Sequence, residues 1–212
     1  CGCPSSRIVG NEAGSYLLND PEKIGNMIRI LKDSGKIVTA KIRLGYKNNN
    51  VMQVSKIIEK ACADLLTIHA RTAQQKYSDS PDWSWISKVK KEIGIPVVGN
   101  GGVINGSTAE KMLDICDGAM VASASIGNPF VFREILRYLK TGKEKEITKE
   151  EKLSGFSDYV KLAEKHDVLE MSRVKYIGSN FLKGFGGASN ARAELMKTKN
   201  IGDVNNLLRS LY

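Results

Sequence analysis

Histidine is scarce: the 212 residues hold two, His69 and His166. A metal centre built on several imidazoles is therefore not expected, and no metal is assigned. Cysteine is sparse as well, with four at positions 1, 3, 62 and 116. Cys62 and Cys116 lie in the segments KACADLL and LDICDGAM and read as small buried hydrophobes. Cys1 and Cys3 stand too close in sequence for an ordinary disulfide, and the composition is not that of a disulfide scaffold. The chain reads as a protein of a reducing, cytoplasmic compartment. No apolar run approaches the roughly 18 residues a membrane span requires, and no apolar leader opens the chain, so no membrane attachment is expected. The first residues are Cys-Gly-Cys-Pro with no initiator Met, from which a preceding segment is expected.

What the chain does have is an apolar content of 42%, which is globular, and a length that accommodates one ordinary domain and a small one. Lysine and arginine number 32 against 23 aspartate and glutamate, a net charge of +9. The excess is uneven: from residue 171 onward seven Lys/Arg stand against two acidic residues, a net +5. Such a tail attracts phosphate backbones or acidic partners, or else forms a solvated surface.

The pattern changes near Gly127-Asn128-Pro129. Before it, short apolar runs alternate with amphipathic stretches. After it only helical periodicity remains, which divides the chain into residues 1–130 and 131–212. Four runs read as strands: Ile37 to Arg43, Leu65 to His69, Ile95 to Gly99 and Gly118 to Ala122. Helical patterns run from Asn50 to Ala61, Trp83 to Glu92 and Ser107 to Leu113, and another from Pro21 to Ser34 precedes the first strand. Ser107-Thr-Ala-Glu110 has the form of a capping box. This alternation predicts βαβ units and a parallel sheet, and the near-continuous apolar runs predict burial on both faces. Beyond residue 130, helices are expected over about 129–140, 148–166, 168–183, 188–198 and 202–211. The predicted class is α/β: four strands forming the C-terminal half of a (β/α)8 barrel, followed by a small helical bundle. An open four-stranded sheet is the alternative.

Each strand run ends in polar or glycine-rich residues, at the end where barrel and open α/β enzymes carry their chemistry. Lys41 and Arg43 alternate with Ile42 and Leu44, so Lys41 is expected to face a barrel interior, where an anion or an electron-rich ring would offset its burial. His69 closes the second run; a lone histidine there is more often structural than functional. Asn100-Gly101-Gly102 closes the third and lets backbone N–H groups approach a phosphate. Ala122 and Ser123 follow the fourth, small and hydroxyl-bearing, and the pair of loops is similar to the phosphate site of many barrels. Cys3, within Gly2-Cys3-Pro4, is held on an irregular backbone. A thiol with an ordinary pKa of about 8.5 is protonated at neutral pH and can act as a general acid.

Together these residues resemble the tRNA-dihydrouridine synthase family across essentially the whole chain. The carriers are Gly2-Cys3-Pro4, Gly14-Ser15 with Leu17-Leu18 and Asp20-Pro21, Lys41-Ile-Arg-Leu-Gly45, His69-Ala-Arg-Thr72 with Gln75 and Tyr77, Asp82-Trp83, Asn100-Gly101-Gly102 and Gly127-Asn128-Pro129. In the tail Arg173, Lys175, Lys183-Gly184 and Arg192 are similar to the family's RNA-binding helical domain. The resemblance implies reduction of uridine to 5,6-dihydrouridine in tRNA by FMN, with NADPH as reductant and Cys3 as proton donor. It implies that Lys41 and His69 contact the flavin, and that Asn100, Gly101, Gly102, Ala122 and Ser123 hold its phosphate. Arg43, Arg71, Arg173, Lys175, Lys183 and Arg192 are implied to meet the substrate RNA. Where the family has Gly-Arg after its last strand this chain has Ala122-Ser123, without a cationic clamp. The signature cysteine follows the family's fourth strand, so the first four strands lie outside this chain, and the intact protein is expected to be a monomer. Two other readings are a different FMN barrel, similar to dihydroorotate dehydrogenase, and an inactive RNA-binding piece.

Overall fold

A computed structural model describes all of residues 1–212. Its elements begin with a short helix α1 (Ser6–Val9) and a 3-10 turn (Gly14–Asn19), neither of which has a periodic signal in the sequence. Helix α2 (Pro21–Lys32) follows, with proline in its first turn and the Asp20 carboxylate accepting from the Lys23 N–H. The alternating part then runs β1 (Thr39–Arg43), α3 (Val51–Lys60), β2 (Leu65–His69), α4 (Ser84–Glu92), β3 (Val97–Asn100), α5 (Gly106–Leu113) and β4 (Gly118–Met120). All neighbouring strands pair in parallel, in the order β1-β2-β3-β4. This is the arrangement of four consecutive strands of a (β/α)8 barrel.

The register separates two faces. Ala40, Leu66 and Val97 share one row and Ile42, Ile68 and Gly99 the next, all on one face. Ile42, Leu66, Ile68 and Val97 are wholly buried there, and α2 to α5 contribute Ile24, Val54, Ile58, Ile86, Val89 and Met112 to the core. Gly99 is needed in this layer: a Cβ would lie 2.1 Å from Met112 Sδ, so only glycine lets α5 pack this closely. The opposite face carries Thr39, Lys41, Thr67 and Val98, partly open to solvent, and is buried only at its carboxyl end. Burial on both faces, expected from the apolar runs, thus holds for half of the second face. Thr39, Lys41 and Thr67 are polar, so Val98 is the one apolar side chain on the open part of that face.

A clasp recurs at the amino ends of the strands. Asp64 accepts from the Val38 N–H at 2.6 Å and pairs with Lys32 at 2.9 Å. Asp117 accepts from the Val97 N–H at 2.7 Å and pairs with Lys90 at 2.8 Å. The backbone answers in both places, with Asp64 N–H donating to Val38 O and Asp117 N–H to Val97 O. Each clasp joins a helix, the strand after it and the turn into the next strand. Both carboxyls are held below the usual aspartate range, first by the lysine hydrogen bond and then by the backbone amide.

Two local expectations, on the capping box and on Cys62, are corrected. The capping box of α5 is formed by Asn105 and Thr108, not by Ser107 and Glu110, because the helix starts at Gly106 and Asn105 Oδ1 reaches the Thr108 N–H. Cys62 is exposed, since the chain leaves α3 through a left-handed turn with φ of 65° at that residue; Cys116 is buried as expected. The compact units divide between Ala122 and Ser123, ahead of residue 130. The segment after Ala122 belongs with the helices because Gly127 fits against Asn180 and Phe181, where a Cβ would meet the Phe181 nitrogen at 2.6 Å.

That second unit comprises a 3-10 turn (Ser123–Ser125), α6 (Val131–Thr141), α7 (Lys149–Lys165), α8 (Met171–Phe181), α9 (Ala188–Lys197) and α10 (Ile201–Leu211). Its core gathers Leu153, Phe156, Val160, Val174, Phe181, Leu195 and Val204. Capping boxes start α7 at Thr148/Glu151 and α10 at Asn200/Asp203. No helix is long and apolar enough to cross a membrane, and no group of three or more His, Cys, Asp or Glu is placed to hold a metal ion.

Candidate active site

At the carboxyl end of the sheet, Arg43, His69 and Asn100 stand side by side in register on the partly open face. Lys41 lies one row below Arg43 on the same face. Arg43 is 3% exposed; its Nε donates to Gly2 O at 2.8 Å and one terminal nitrogen to Thr72 O at 2.9 Å. The first bond lays the Cys1–Pro4 segment over the end of β1. Cys3 is exposed there, with its carbonyl accepting from the Ser15 N–H. Gly14, at φ of 60°, passes so close that a Cβ would lie 2.6 Å from Cys3 O.

Positive charge dominates this end. Lys41 is exposed by area, against the expectation of a buried interior lysine, yet partial enclosure, then Arg43, lowers its pKa. His69 feels the same field: burial first, then Arg43, Lys41 and Arg71, bring its pKa to about 4. The imidazole is therefore neutral at physiological pH. The Tyr77 ring stacks over it with centroids 6.4 Å apart.

After β3 the backbone turns through Gly101 (φ 102°) and Gly102 (φ 79°). Gly101 is required by its neighbour, since a Cβ would lie 2.7 Å from His69 Cδ2. Trp83 Nε1 donates to Gly101 O at 2.8 Å, and Asn100 Nδ2 to Met120 O at 2.9 Å. The N–H groups of Gly101, Gly102 and Val103 donate to no acceptor within the protein. These three successive donors follow β3 next to His69, which Gly101 adjoins. Ala122 ends the first unit and Ser123 opens the second.

The sequence pattern of the dihydrouridine synthase family matches residues 1–211. The chain belongs to this family. The probable tRNA-dihydrouridine synthase of Rickettsia conorii is 36% identical over 149 residues, covering 68% of this chain and 45% of that protein. That of Aquifex aeolicus is 34% identical over 168 residues, 75% of this chain and 53% of the relative. The probable tRNA-dihydrouridine synthase 1 of Synechocystis is 30% identical over 214 aligned positions, 98% of this chain and 60% of the relative. The chain thus spans about half the length of the curated dihydrouridine synthases it matches.

Four of the five remaining residues expected to meet RNA are hydrogen-bonded within the chain. Arg71 is 7% exposed, with Nε donating to Asp79 O, one terminal nitrogen to Tyr77 O and the other 3.1 Å from His69 Nε2. These bonds build it into the β2–α4 loop. In the helical unit Lys175 Nζ donates to Met196 O, Lys183 Nζ to Asn180 Oδ1 and Arg192 to Leu182 O. Two of these acceptors are carbonyls at helix carboxyl ends, where cations are favoured. Arg173 is exposed, and its charge reaches Tyr159. Tyr77 and Trp83 were given no role by the sequence alone. The available signal was two aromatics within the stretch that joins a polar strand end to the next helix.

Proposed function

We propose that this chain carries the carboxyl-side half of the active site of an FMN-dependent tRNA-dihydrouridine synthase. The observation that carries the reading is the in-register row Arg43–His69–Asn100, with Lys41 below it and the unpaired N–H groups of residues 101–103 beside it. The donor set fits a flavin mononucleotide. An ammonium suits the negative charge a reduced flavin ring can carry, a neutral imidazole can hydrogen-bond its polar edge, and the glycine turn suits the phosphate. Lys41 and His69 would hold the ring, and Asn100, Gly101 and Gly102, with Ala122, the phosphate end. FMN bound there would supply the hydride for C6 of the uracil, with NADPH as the source of reducing equivalents.

The chain's own residues supply the rest. Cys3 donates a proton from Sγ to C5, so that hydride and proton together saturate the C5–C6 bond. Arg43 holds the segment bearing Cys3 against the sheet. A uridine reaches this face only if it leaves the RNA stack, and the basic residues beyond 170 offer the backbone an electrostatic dock. Family membership favours this over a dihydroorotate-dehydrogenase-like barrel.

The test is Cys3→Ala in the natural protein. Reduction of FMN by NADPH should proceed at the parent rate while dihydrouridine formation in tRNA falls by at least a hundredfold, the usual scale of a lost general acid. Parent-rate product formation would remove Cys3 from the reaction. A folded protein that binds no FMN would remove the flavin reading.

A further inference from the structure

His69 and Arg71 are two residues apart at the end of β2, and their side chains meet. One terminal nitrogen of Arg71 lies 3.1 Å from His69 Nε2. A guanidinium has no lone pair to offer and stays protonated in proteins. The hydrogen bond therefore runs one way, from Arg71 to Nε2, and a neutral ring that accepts at Nε2 carries its proton on Nδ1.

The arginine is itself fixed. Its Nε donates to Asp79 O at 2.7 Å and its second terminal nitrogen to Tyr77 O at 3.1 Å. The Arg71 N–H also donates to His69 O at 2.7 Å. Three side-chain bonds spread over one loop leave a planar fork a single orientation. The imidazole is held on the same edge by Gly101, whose missing side chain makes room for His69 Cδ2 and Nε2. Tyr77 covers one of its faces. The Nε2–Cδ2 edge is thus enclosed and the Nδ1 edge is the one left to a ligand.

We propose that Arg71 is a positioning residue that locks His69 in the neutral Nδ1–H tautomer, so that the ring presents a hydrogen-bond donor to the carboxyl-end face of the sheet. Built on the flavin reading above, this means that His69 donates to an acceptor atom of the ring system, a carbonyl oxygen or an unprotonated nitrogen. The ring cannot accept from a protonated ring nitrogen through Nδ1. A lysine at position 71 would keep the charge but not the fork, and would let the ring change tautomer. The charged and titratable groups facing the imidazole are Lys41 and Arg43 from β1, Arg71 and Tyr77 from the following loop, and Cys3 near Arg43.

The experiment needs no flavin. With only His69 and His166 in the chain, nitrogen-15 histidine labelling of the 212-residue protein gives two imidazole systems, and His166→Gln assigns them. At neutral pH the His69 spectrum should show an unprotonated Nε2 and a protonated Nδ1. Arg71→Lys should add an Nε2–H population and raise the midpoint of the His69 titration. An Nε2–H ring in the unsubstituted protein would overturn the proposal without any variant, and so would an unchanged tautomer in folded Arg71→Lys. FMN is then added: a shift at Nδ1 supports the flavin contact. No shift with the tautomer confirmed would separate failure of the flavin reading from failure of the positioning role.

Discussion

Arg43 Nε lies 2.8 Å from the carbonyl oxygen of Gly2, and through that bond a buried cation on β1 holds the residue next to Cys3. The same guanidinium reaches Thr72 O, so one side chain ties the first residues of the chain to the loop after β2. Replacing it by leucine leaves two carbonyls without their charged donor.

Arg43→Leu should therefore loosen residues 1–15 before it unfolds the sheet. The loss of hydrogen bonds to a charged group is expected to cost about 1.5–3 kcal/mol. Amide exchange at Ser15, whose N–H donates to Cys3 O, should accelerate at least tenfold while Ile42 and Ile68 stay protected. Unchanged exchange at Ser15 would show that the segment is held by something else.

Gly101→Ala should be costly in a way that Gly35→Ala is not. Both glycines have positive φ, but a Cβ at 101 would meet His69 at 2.7 Å whereas one at 35 meets nothing within 4 Å. Backbone strain alone is worth about 1–3 kcal/mol, and the steric contact at 101 adds to it. Thermal melts of the two variants compare directly: equal losses would mean that the imidazole yields freely.

Stability should depend on pH through His69 in a definite window. The folded ring titrates at about 4 against an ordinary 6.5, so as pH falls the unfolded chain takes up the proton first. The contribution is fully present above pH 6.5 and is lost progressively down to about pH 4. Denaturant unfolding at several pH values should show this slope, and His69→Gln should flatten it. The depressed carboxyls of Asp64 and Asp117 act lower, below their ordinary value of 3.8, so Asp64→Asn should leave the 4–6.5 slope intact.

The basic residues of the helical unit should separate into two groups. Arg192 and Lys175 satisfy the carbonyls of Leu182 and Met196, so their replacement by methionine should lower the melting temperature, by roughly 2–4 °C per kcal/mol lost. Arg173→Met should leave it unchanged. In RNA titrations each phosphate contact removed should reduce the slope of log K against log salt by about 0.7–0.9. A slope change for Arg173 with no change in melting assigns it to RNA. Melting losses without a slope change at Lys175 and Arg192 assign those two to the bundle.

The strands were legible because apolar β-branched runs between helical stretches leave few other arrangements, and Leu65–His69 is bounded in the structure as it reads in the sequence. β1 was read two residues too long at its start because Ile37 is apolar, yet it is 83% exposed. The rows of the site could be guessed from polar strand ends. What they are bonded to could not, since register across β1, β2 and β3 is a long-range property. Arg71 shows the limit: its spacing from His69 suggests a shared site, but nothing local says that Tyr77 and Asp79 turn their carbonyls toward it. The bonds of the tail cations were hidden for a related reason. Net charge counts ammonium groups without telling which of them already serve a helix end.

The paired aspartate clasps sit at the amino ends of the strands, whereas Arg43, His69 and Asn100 close the carboxyl ends and Gly101 and Gly102 lie beyond them. Anchorage and reactivity are thereby kept apart by the length of a strand. Mutational drift in the loops after Arg43, His69 and Asn100 can alter which ligand is taken without unfastening the scaffold. The converse also holds: Asp64 and Asp117 are positions where substitution is expected to reduce abundance in the cell while leaving the specific activity of each surviving molecule unchanged.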